Sequence, residues 1–268
     1  MTIAIHLTSE QPKTGASRRR TATCLAVLGL AVSGLSTEAS AAPTITSFKA
    51  MAVPIAGFPG TGDMLGAGAV IQGEAKISGT EYDGSPPPLI GVRLYAPAGE
   101  RLHPQGFATC APSVLEQSGP ALCPKRSIAG PKGFALGTVT FGSERVPETA
   151  SVQLFFAPGG SLEAFVDGTT PVSLEMLATG HFVSSSPPFG QEFIGNVPLI
   201  ETVPGAPDAS FEEGTISAGA AYRQGNKTIS YVTLPSRCPK GGWPVKGELS
   251  FLGGATAEAS YKMPCPKK

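Results

Sequence analysis

The side chains best suited to chemistry in this chain are two histidines, a pair of adjacent acids and four cysteines. His103 and His181 could each act as a general base beside a serine. Glu212 and Glu213 are neighbours along the chain, so on a strand their side chains would point to opposite faces and could not cooperate as an acid/base pair. The contexts of these residues favour structural roles, and the sequence predicts no catalytic residue.

A search for short catalytic and ligand-binding motifs supports the same prediction. The chain contains no HExxH, no EF-hand loop and no phosphate-binding loop. Residues 215–219 have Thr215 where a GxSxG elbow needs its first glycine. We therefore predict a protein that is not an enzyme and that has no cofactor and no metal site. A hydrolase whose site is assembled from distant residues stays open, because such sites are defined by geometry rather than by spacing.

The N-terminal segment has the organisation of an export signal. Three arginines at 18–20 precede an uncharged apolar run at 21–35, and the small-residue triplet 39–41 follows. This order is typical of a cleaved secretory signal peptide, and the apolar run is shorter than the roughly 20 residues that a membrane-spanning helix needs. We predict a signal peptide at 1–41, a mature chain at 42–268 without a transmembrane span, and a secreted or extracellular location that includes association with the cell envelope.

The predicted cleavage decides which cysteines remain in the mature chain. Cys24 falls within the signal, which leaves Cys110, Cys123, Cys238 and Cys265. An even number of cysteines in an exported chain favours disulfides, and four cysteines allow three pairings. We favour Cys110–Cys123 and Cys238–Cys265 because each pair is local, and each bridge should stabilise the fold by about 3–4 kcal/mol. A zinc site is the weaker alternative, since no CxxC spacing is present.

Composition and charge exclude several classes of function. Cleavage of the signal would remove four basic and two acidic residues from a chain of net charge zero, leaving a net charge of −2. A near-neutral chain without a basic cluster is a poor candidate for binding nucleic acid or anionic lipid. The chain has 34 glycines and 26 prolines, which indicates many turns and short strands.

The hydrophobic pattern predicts an all-β protein with an Ig-like β-sandwich architecture, either one large or two small sandwiches, with an internal boundary near 184–193. Residues 69–78 alternate, with Ala69, Ile71, Gly73, Ala75 and Ile77 on one face. Ile90, Val92 and Leu94 are expected to share a face of the next strand. Gly253-Gly254 predicts a two-residue hairpin in which Glu248 faces Ala259.

The Cys, Pro and Gly motifs of the chain carry a resemblance to a family. They resemble those of uncharacterised secreted proteins, mostly actinobacterial, that share Cys-Pro and Cys-Pro-x-Gly-Gly motifs: Pro104-x-Gly106-Phe107-x-x-Cys110, Cys123-Pro124-x-x-Ser127-x-x-Gly130, Leu234-Pro235-x-x-Cys238-Pro239-x-Gly241-Gly242-Trp243 and Pro264-Cys265-Pro266. The resemblance spans most of the mature chain, and Ala129 and Pro131 depart from it. It implies a secreted protein, and it offers no activity and no catalytic residue to carry over.

The sequence thus predicts a secreted, non-catalytic β-sandwich protein, an interaction or cell-envelope-associated module whose partner is an envelope component or another protein. A carbohydrate-binding module is an alternative, with Trp243, the sole tryptophan, as its platform. Packing of Trp243 against the second disulfide is the competing interpretation.

Overall fold

A computed structural model describes residues 42–55 and 65–266, which belong to one compact unit. The predicted signal peptide and Cys24 lie outside the described residues. The described part is built of strands: β1 (Thr44–Pro54), β2 (Gly68–Ser78), β3 (Leu89–Pro97), β4 (Arg101–Leu102), β5 (Gly133–Phe141), β6 (Glu144–Phe156), β7 (Leu162–Thr170), β8 (Leu174–Ser184), β9 (Phe189–Asn196), β10 (Ser210–Ala218), β11 (Ala221–Gln224), β12 (Lys227–Ser230), β13 (Val232–Thr233), β14 (Trp243–Phe251) and β15 (Thr256–Met263). The one α-helix of this part, α1, covers Pro112–Ser118.

The long strands form one antiparallel sheet. Its order is β15-β14-β3-β9-β8-β7-β6-β5-β10-β2-β13-β4, with β1 paired to the other edge of β2, and β11 and β12 form a separate hairpin. Strands β5 to β9 are joined by consecutive hairpin connections, so local pairing accounts for the middle of the sheet. The pairs β3–β9, β3–β14, β2–β10 and β5–β10 join segments far apart in the chain.

The sheet curls until its two ends meet. Phe48 and Ala50 of β1 pack in one apolar cluster with Trp243, Val245 and Met263 of β14 and β15. Strands β1 and β15 are therefore neighbours across the closure, although they lie at opposite ends of the hydrogen-bonded order. One face of the sheet is enclosed, and the other faces solvent or the segments that cover it.

The all-β class predicted from the sequence is confirmed, whereas the Ig-like sandwich is not. A sandwich needs two separate sheets packed face to face. Here the long strands are hydrogen-bonded into one curled sheet that encloses its own core, so no second large sheet is needed to cover the apolar face. The expected boundary at 184–193 coincides with the turn and second strand of the β8–β9 hairpin.

The C-terminal hairpin forms where it was predicted but in a different register. Glu248 lies opposite Glu258, not opposite Ala259. The Phe251 N–H donates to the Ala255 carbonyl at 2.9 Å, so the loop contains three residues, and Gly253 and Gly254 have φ values of 85° and 86°. Two carboxylates face each other as a result, and Lys246 Nζ lies 2.7 Å from Glu248 Oε1 and 2.8 Å from Glu258 Oε2.

Two disulfides hold the segments outside the sheet. Cys110 is bonded to Cys123 and Cys238 to Cys265, which is the pairing favoured from the sequence. The first bridge closes the segment containing α1, and Leu115 of this helix packs with Phe155 and Phe165 on the outer face of β6 and β7. The second bridge ties the end of β15 to the loop before β14.

Residues 129–130 lie where two chain segments approach closely. The Ala129 N–H donates to the Leu154 carbonyl at 2.8 Å, and the Ala129 carbonyl accepts from the Gly219 N–H at 2.7 Å. A Cβ added at Gly130 would collide with the carbonyl oxygen of Ser217. A glycine is therefore required at this position by the approach of β10.

We expect Gly130→Ala to lower the free energy of unfolding by about 1–3 kcal/mol, because backbone must move to accommodate the methyl group. Gly73→Ala is the matched control. A Cβ there would meet only the Ile216 methyl at 3.8 Å, so this variant should be neutral or more stable by up to about 1 kcal/mol. Urea unfolding followed by Trp243 fluorescence measures both. Equal stability of Gly130→Ala and the wild type would contradict the close approach.

Candidate ligand-binding cavity

The enclosed face of the sheet is lined by unusually small residues. The alternation predicted for residues 69–78 is observed, and Ile71, Gly73 and Ala75 line the interior. Other strands contribute similar residues at inward positions, so that the small residues around the central cavity are Gly73, Ala75, Ala135, Ala164, Ala178, Gly195, Gly214 and Gly247. Because these side chains are too short to meet across the curled sheet, space remains between the strands.

This space divides into three adjoining cavities. The central cavity has a volume of about 230 Å³. A second cavity of about 130 Å³ shares with it five large apolar residues: Phe48, Leu94, Leu154, Phe193 and Ile216. A third cavity of about 90 Å³ shares a different set, which includes Leu89, Ala135, Val166, Met176 and Phe211. The cavities therefore form a row with the largest in the middle. The wall of the central cavity is almost entirely aliphatic and aromatic, whereas the two outer cavities also have polar side chains in their lining.

Cavities of this size would destabilise the folded protein considerably if they were left empty. Cavity volume left unfilled costs about 24 cal/mol per Å³, so the central cavity alone would cost on the order of 5 kcal/mol. That is as large as the whole net stability of many domains, about 5–15 kcal/mol. An engineered apolar cavity of about 150 Å³ already binds benzene. An apolar molecule in this interior would recover contacts that the small side chains do not supply.

Both ends of the row carry polar groups. Glu148 lines the third cavity and accepts hydrogen bonds from the Thr170 and Val172 N–H groups at 3.2 and 3.1 Å, so its carboxylate is satisfied within the protein. Glu100 lies in the turn between β3 and β4, is 8% exposed and lines the second cavity together with Tyr231. Burial raises the pKa of the Glu100 carboxyl to about 7. Burial also raises the pKa of Tyr231, and the negative charge of Glu100 adds to this effect. No side-chain hydrogen bond or ion pair joins Glu100 to another residue in the described part of the chain.

Tyr231 is held firmly at this end. Its N–H donates to the Ala220 carbonyl at 2.8 Å, and its carbonyl accepts from the His103 N–H at 2.7 Å. Its ring packs against Phe156 with centroids 4.6 Å apart, and Phe107 completes the cluster. Tyr231 therefore belongs both to this aromatic cluster and to the lining of the second cavity, whose polar side chains include Glu100 and Tyr231.

A second buried acid lies on the other face of the sheet. Glu163 is 1% exposed, and both of its carboxylate oxygens are buried without a hydrogen-bond partner. It lies on β7 between Phe155 of β6 and Thr179 of β8, on the face covered by α1. Burial raises its pKa to about 7, the neighbouring Thr179 side chain acts in the opposite direction, and the charge of Glu116 adds to the rise. Glu163 does not line any of the three cavities.

The two histidines singled out from the sequence lie in different environments. His103 Nε2 lies 3.2 Å from Thr233 Oγ1 in a partly buried position at the end of β4. His181 is exposed on β8, opposite Ile194 of β9. The structure shows no serine and no carboxylate hydrogen-bonded to either imidazole in the part of the chain that it describes.

The other candidate residues have structural partners. Glu212 accepts a hydrogen bond from Thr138, whereas Glu213 Oε1 pairs with Lys76 Nζ at 2.8 Å, so the two acids do not act on one point. Trp243 is 1% exposed, and its Nε1–H donates to the Arg237 carbonyl at 2.8 Å. Its ring packs with Met263 and, at the edge of the same cluster, Cys265. The interpretation of Trp243 as an exposed carbohydrate platform is therefore wrong, because the ring belongs to the core.

Among residues 42–55 and 65–266, no group of three or more His, Cys, Asp or Glu side chains is arranged to hold a metal ion. Within the same ranges, no helix has the length and apolar character required to cross a membrane. Comparison of the chain with protein-family models, with curated proteins and with solved structures finds no match. The family resemblance noted in the motifs stays a prediction.

Sequence reasoning did not find Glu100 and Tyr231, the polar residues of the second cavity on which the site depends. Nothing in the spacing of Glu100 or Tyr231 distinguishes them from surface residues of a loop and a short strand. The runs of alanine and glycine at alternate positions were a visible signal of spare volume on the inward face, yet they indicate a cavity only once the sheet is known to close.

We expect Glu163→Gln to stabilise the protein by about 1–3 kcal/mol at pH 8, because a carboxyl with a raised pKa destabilises the fold when it is ionised. The stability that the protonated carboxyl supplies is complete below its unfolded pKa near 4.5 and is lost as the pH rises through about 7. The advantage of the variant should therefore vanish near pH 4. Thermal unfolding across this range measures it.

Glu175→Gln, an exposed acid on β8, is the matched control and should have little effect at either pH. A Glu163→Gln difference that does not change between pH 4 and pH 8 would show that Glu163 does not titrate in this range.

Proposed function

We propose that this protein is an exported, non-catalytic binding protein that holds an apolar small molecule inside its curled sheet. The observation that carries the proposal is the row of three adjoining apolar cavities enclosed by the sheet. Together they amount to about 450 Å³, which lies within the roughly 300–1,000 Å³ typical of small-molecule sites. Such sites combine apolar walls with a few polar groups, as in the second cavity.

The residue choice along the strands supports binding over incidental loose packing. Protein interiors normally reach the density of organic crystals. Replacing inward alanines by leucine or valine would fill the interior with ordinary core side chains, and glycine weakens a strand. An interior that keeps alanine and glycine on many strands is suited to accommodate a further molecule.

Export is the second part of the proposal. Its support is the signal-like order of charged, apolar and small residues at 1–41 together with two disulfides in the described chain. A secreted or envelope-associated carrier of apolar molecules is a specific form of the interaction module predicted from the sequence. No observation in the described residues favours the carbohydrate-binding or hydrolase alternative over it.

The test of the binding function is titration with diphenylhexatriene, a hydrocarbon dye that fluoresces in apolar surroundings. We expect saturable binding to the wild-type protein. Ala178→Leu should weaken it about tenfold or more, because the larger side chain enters the central cavity and a loss of about 1.4 kcal/mol is tenfold in affinity. Ala221→Leu is the matched control on exposed β11 and should bind as the wild type does.

Stability separates a filled cavity from a damaged fold. Ala178→Leu should unfold at the same or a higher urea concentration than the wild type, because it fills volume in the core. Absence of saturable dye binding by the wild type, or unchanged affinity in a folded Ala178→Leu protein, would contradict the proposed function.

We expect the protein isolated from its own cells to begin at Ala42 or Pro43 and to contain no free thiol before reduction. Intact mass measured before and after reduction and alkylation of the medium and envelope fractions tests this. A full-length chain or four free thiols would refute export and oxidation.

A further inference from the structure

Resting on the proposed function, we infer that the ligand is a single-chain amphiphile whose amine or hydroxyl head group donates a hydrogen bond to Glu100 while its apolar chain extends through the central cavity. The inference takes the proposed function further by naming the ligand class. It stands on the position of one buried acid at the end of an apolar row.

Glu100 is a buried acid without a partner. Its side chain is more than nine-tenths buried, lines the second cavity and has no hydrogen-bonding or charged side-chain partner among the described residues. Buried acids are normally hydrogen-bonded or paired, because an isolated buried charge is strongly unfavourable. A ligand head group in this cavity would supply the partner that the protein does not.

The chemistry of Glu100 selects the type of head group. A carboxylate only accepts hydrogen bonds, and a protonated carboxyl retains acceptor capacity, so a donor suits both forms. An ammonium adds an ion pair, and a hydroxyl adds a neutral hydrogen bond. A carboxylate head would place two acids in one low-dielectric cavity, which disfavours ionisation of at least one of them. Tyr231, which lines the same cavity, supplies a phenolic oxygen that can accept as well as donate.

The arrangement of the cavities in a row favours a ligand with a single apolar chain. The second cavity adjoins the central one through Phe48, Leu94 and Phe193, and the central cavity adjoins the third on its other side. Side chains of the described residues that line the central cavity are almost all apolar, and Glu148 at the far end, in the third cavity, already accepts hydrogen bonds from the Thr170 and Val172 N–H groups. Glu100 is therefore the acid of the row that lacks a partner. A chain that starts at Glu100 would therefore run along the row and bury its methylene groups.

Glu163 is a buried acid that lies outside the cavities. It is as deeply buried as Glu100 and has a pKa raised to the same degree, yet it faces α1 on the outside of the sheet. Glu163→Leu and Glu100→Leu thus remove the same group from opposite faces, and only the second should alter ligand selection.

The experiment is competition of decylamine, decanol and decanoate against bound diphenylhexatriene at pH 8, where Glu100 is largely ionised. For the wild type we expect decylamine and decanol to displace the dye at concentrations about tenfold or more below that of decanoate, since a hydrogen bond to a charged group contributes about 1.5–3 kcal/mol. In Glu100→Leu the ratio of these concentrations should fall to about one, and this ratio does not depend on how tightly the variant binds the dye. Glu163→Leu, the control, should keep the wild-type preference.

The outcomes separate the two proposals. If the wild type does not bind the dye, the proposed function fails and the head-group inference fails with it. If the dye binds but decanoate competes as well as decanol and decylamine, only the inference is overturned. An unchanged preference in a Glu100→Leu protein that binds the dye also overturns it. If one donor alone competes well, that result identifies the head group and supports the inference.

Discussion

The structure depends on the apolar contact that closes the sheet. Phe48 and Ala50 at one end pack with Trp243, Val245 and Met263 at the other. Without this contact the inward faces of the strands would be open to water, and their alanines and glycines would bury little surface. Closure thus converts a row of weakly hydrophobic faces into one enclosed interior, and the Cys238–Cys265 bridge holds the end of the hairpin that makes the contact.

The closure also explains how the interior can stay under-filled. The backbone hydrogen bonds of a curled sheet join neighbouring strands, so the rigidity of the sheet does not depend on contacts between side chains across its centre. The outer face adds support, since α1, stapled by Cys110–Cys123, covers β6 and β7. Ion pairs of the kind that Lys246 makes with Glu248 and Glu258 lie on the strands that flank the closure. Cohesion is thus concentrated in the backbone and on the outside, and the centre is left to small residues.

How far the sequence could predict this fold depends on the range of each interaction. The face of β2 that carries Ile71 and Gly73 follows from alternation, which is local, and it is observed. Ile90 was expected beside Val92 and Leu94, yet a register shift opposite Ser250 and Phe251 leaves Ile90 36% exposed and turns Leu89 inward. The hairpin register differs by one residue because two adjacent glycines are compatible with more than one loop length.

Neither the arrangement of the sheet nor the position of the site could be predicted from local sequence patterns, and the physical reason is the same for both. A sandwich and a curled single sheet both present alternating strands and Gly/Pro-rich turns, and they differ only in which distant strands pair, such as β3 with β9 and β14. Glu100 becomes a site residue only through that pairing, because the turn that carries it is brought over the interior by β3 and β4. The disulfides, in contrast, join cysteines that are close in the chain, and local spacing was enough to pair them.

Two of the buried acids, Glu100 and Glu163, show what closure does to otherwise similar groups. Glu100 and Glu163 both sit in low-dielectric surroundings that raise their pKa, and both therefore destabilise the folded protein when ionised. On the outer face that cost can be removed only by protonation or by movement of α1. On the inner face it can also be relieved by a molecule that enters the row and donates a hydrogen bond. Binding would then stabilise the folded protein in two ways, through apolar contacts along the cavities and through a hydrogen bond to the Glu100 carboxyl at their end.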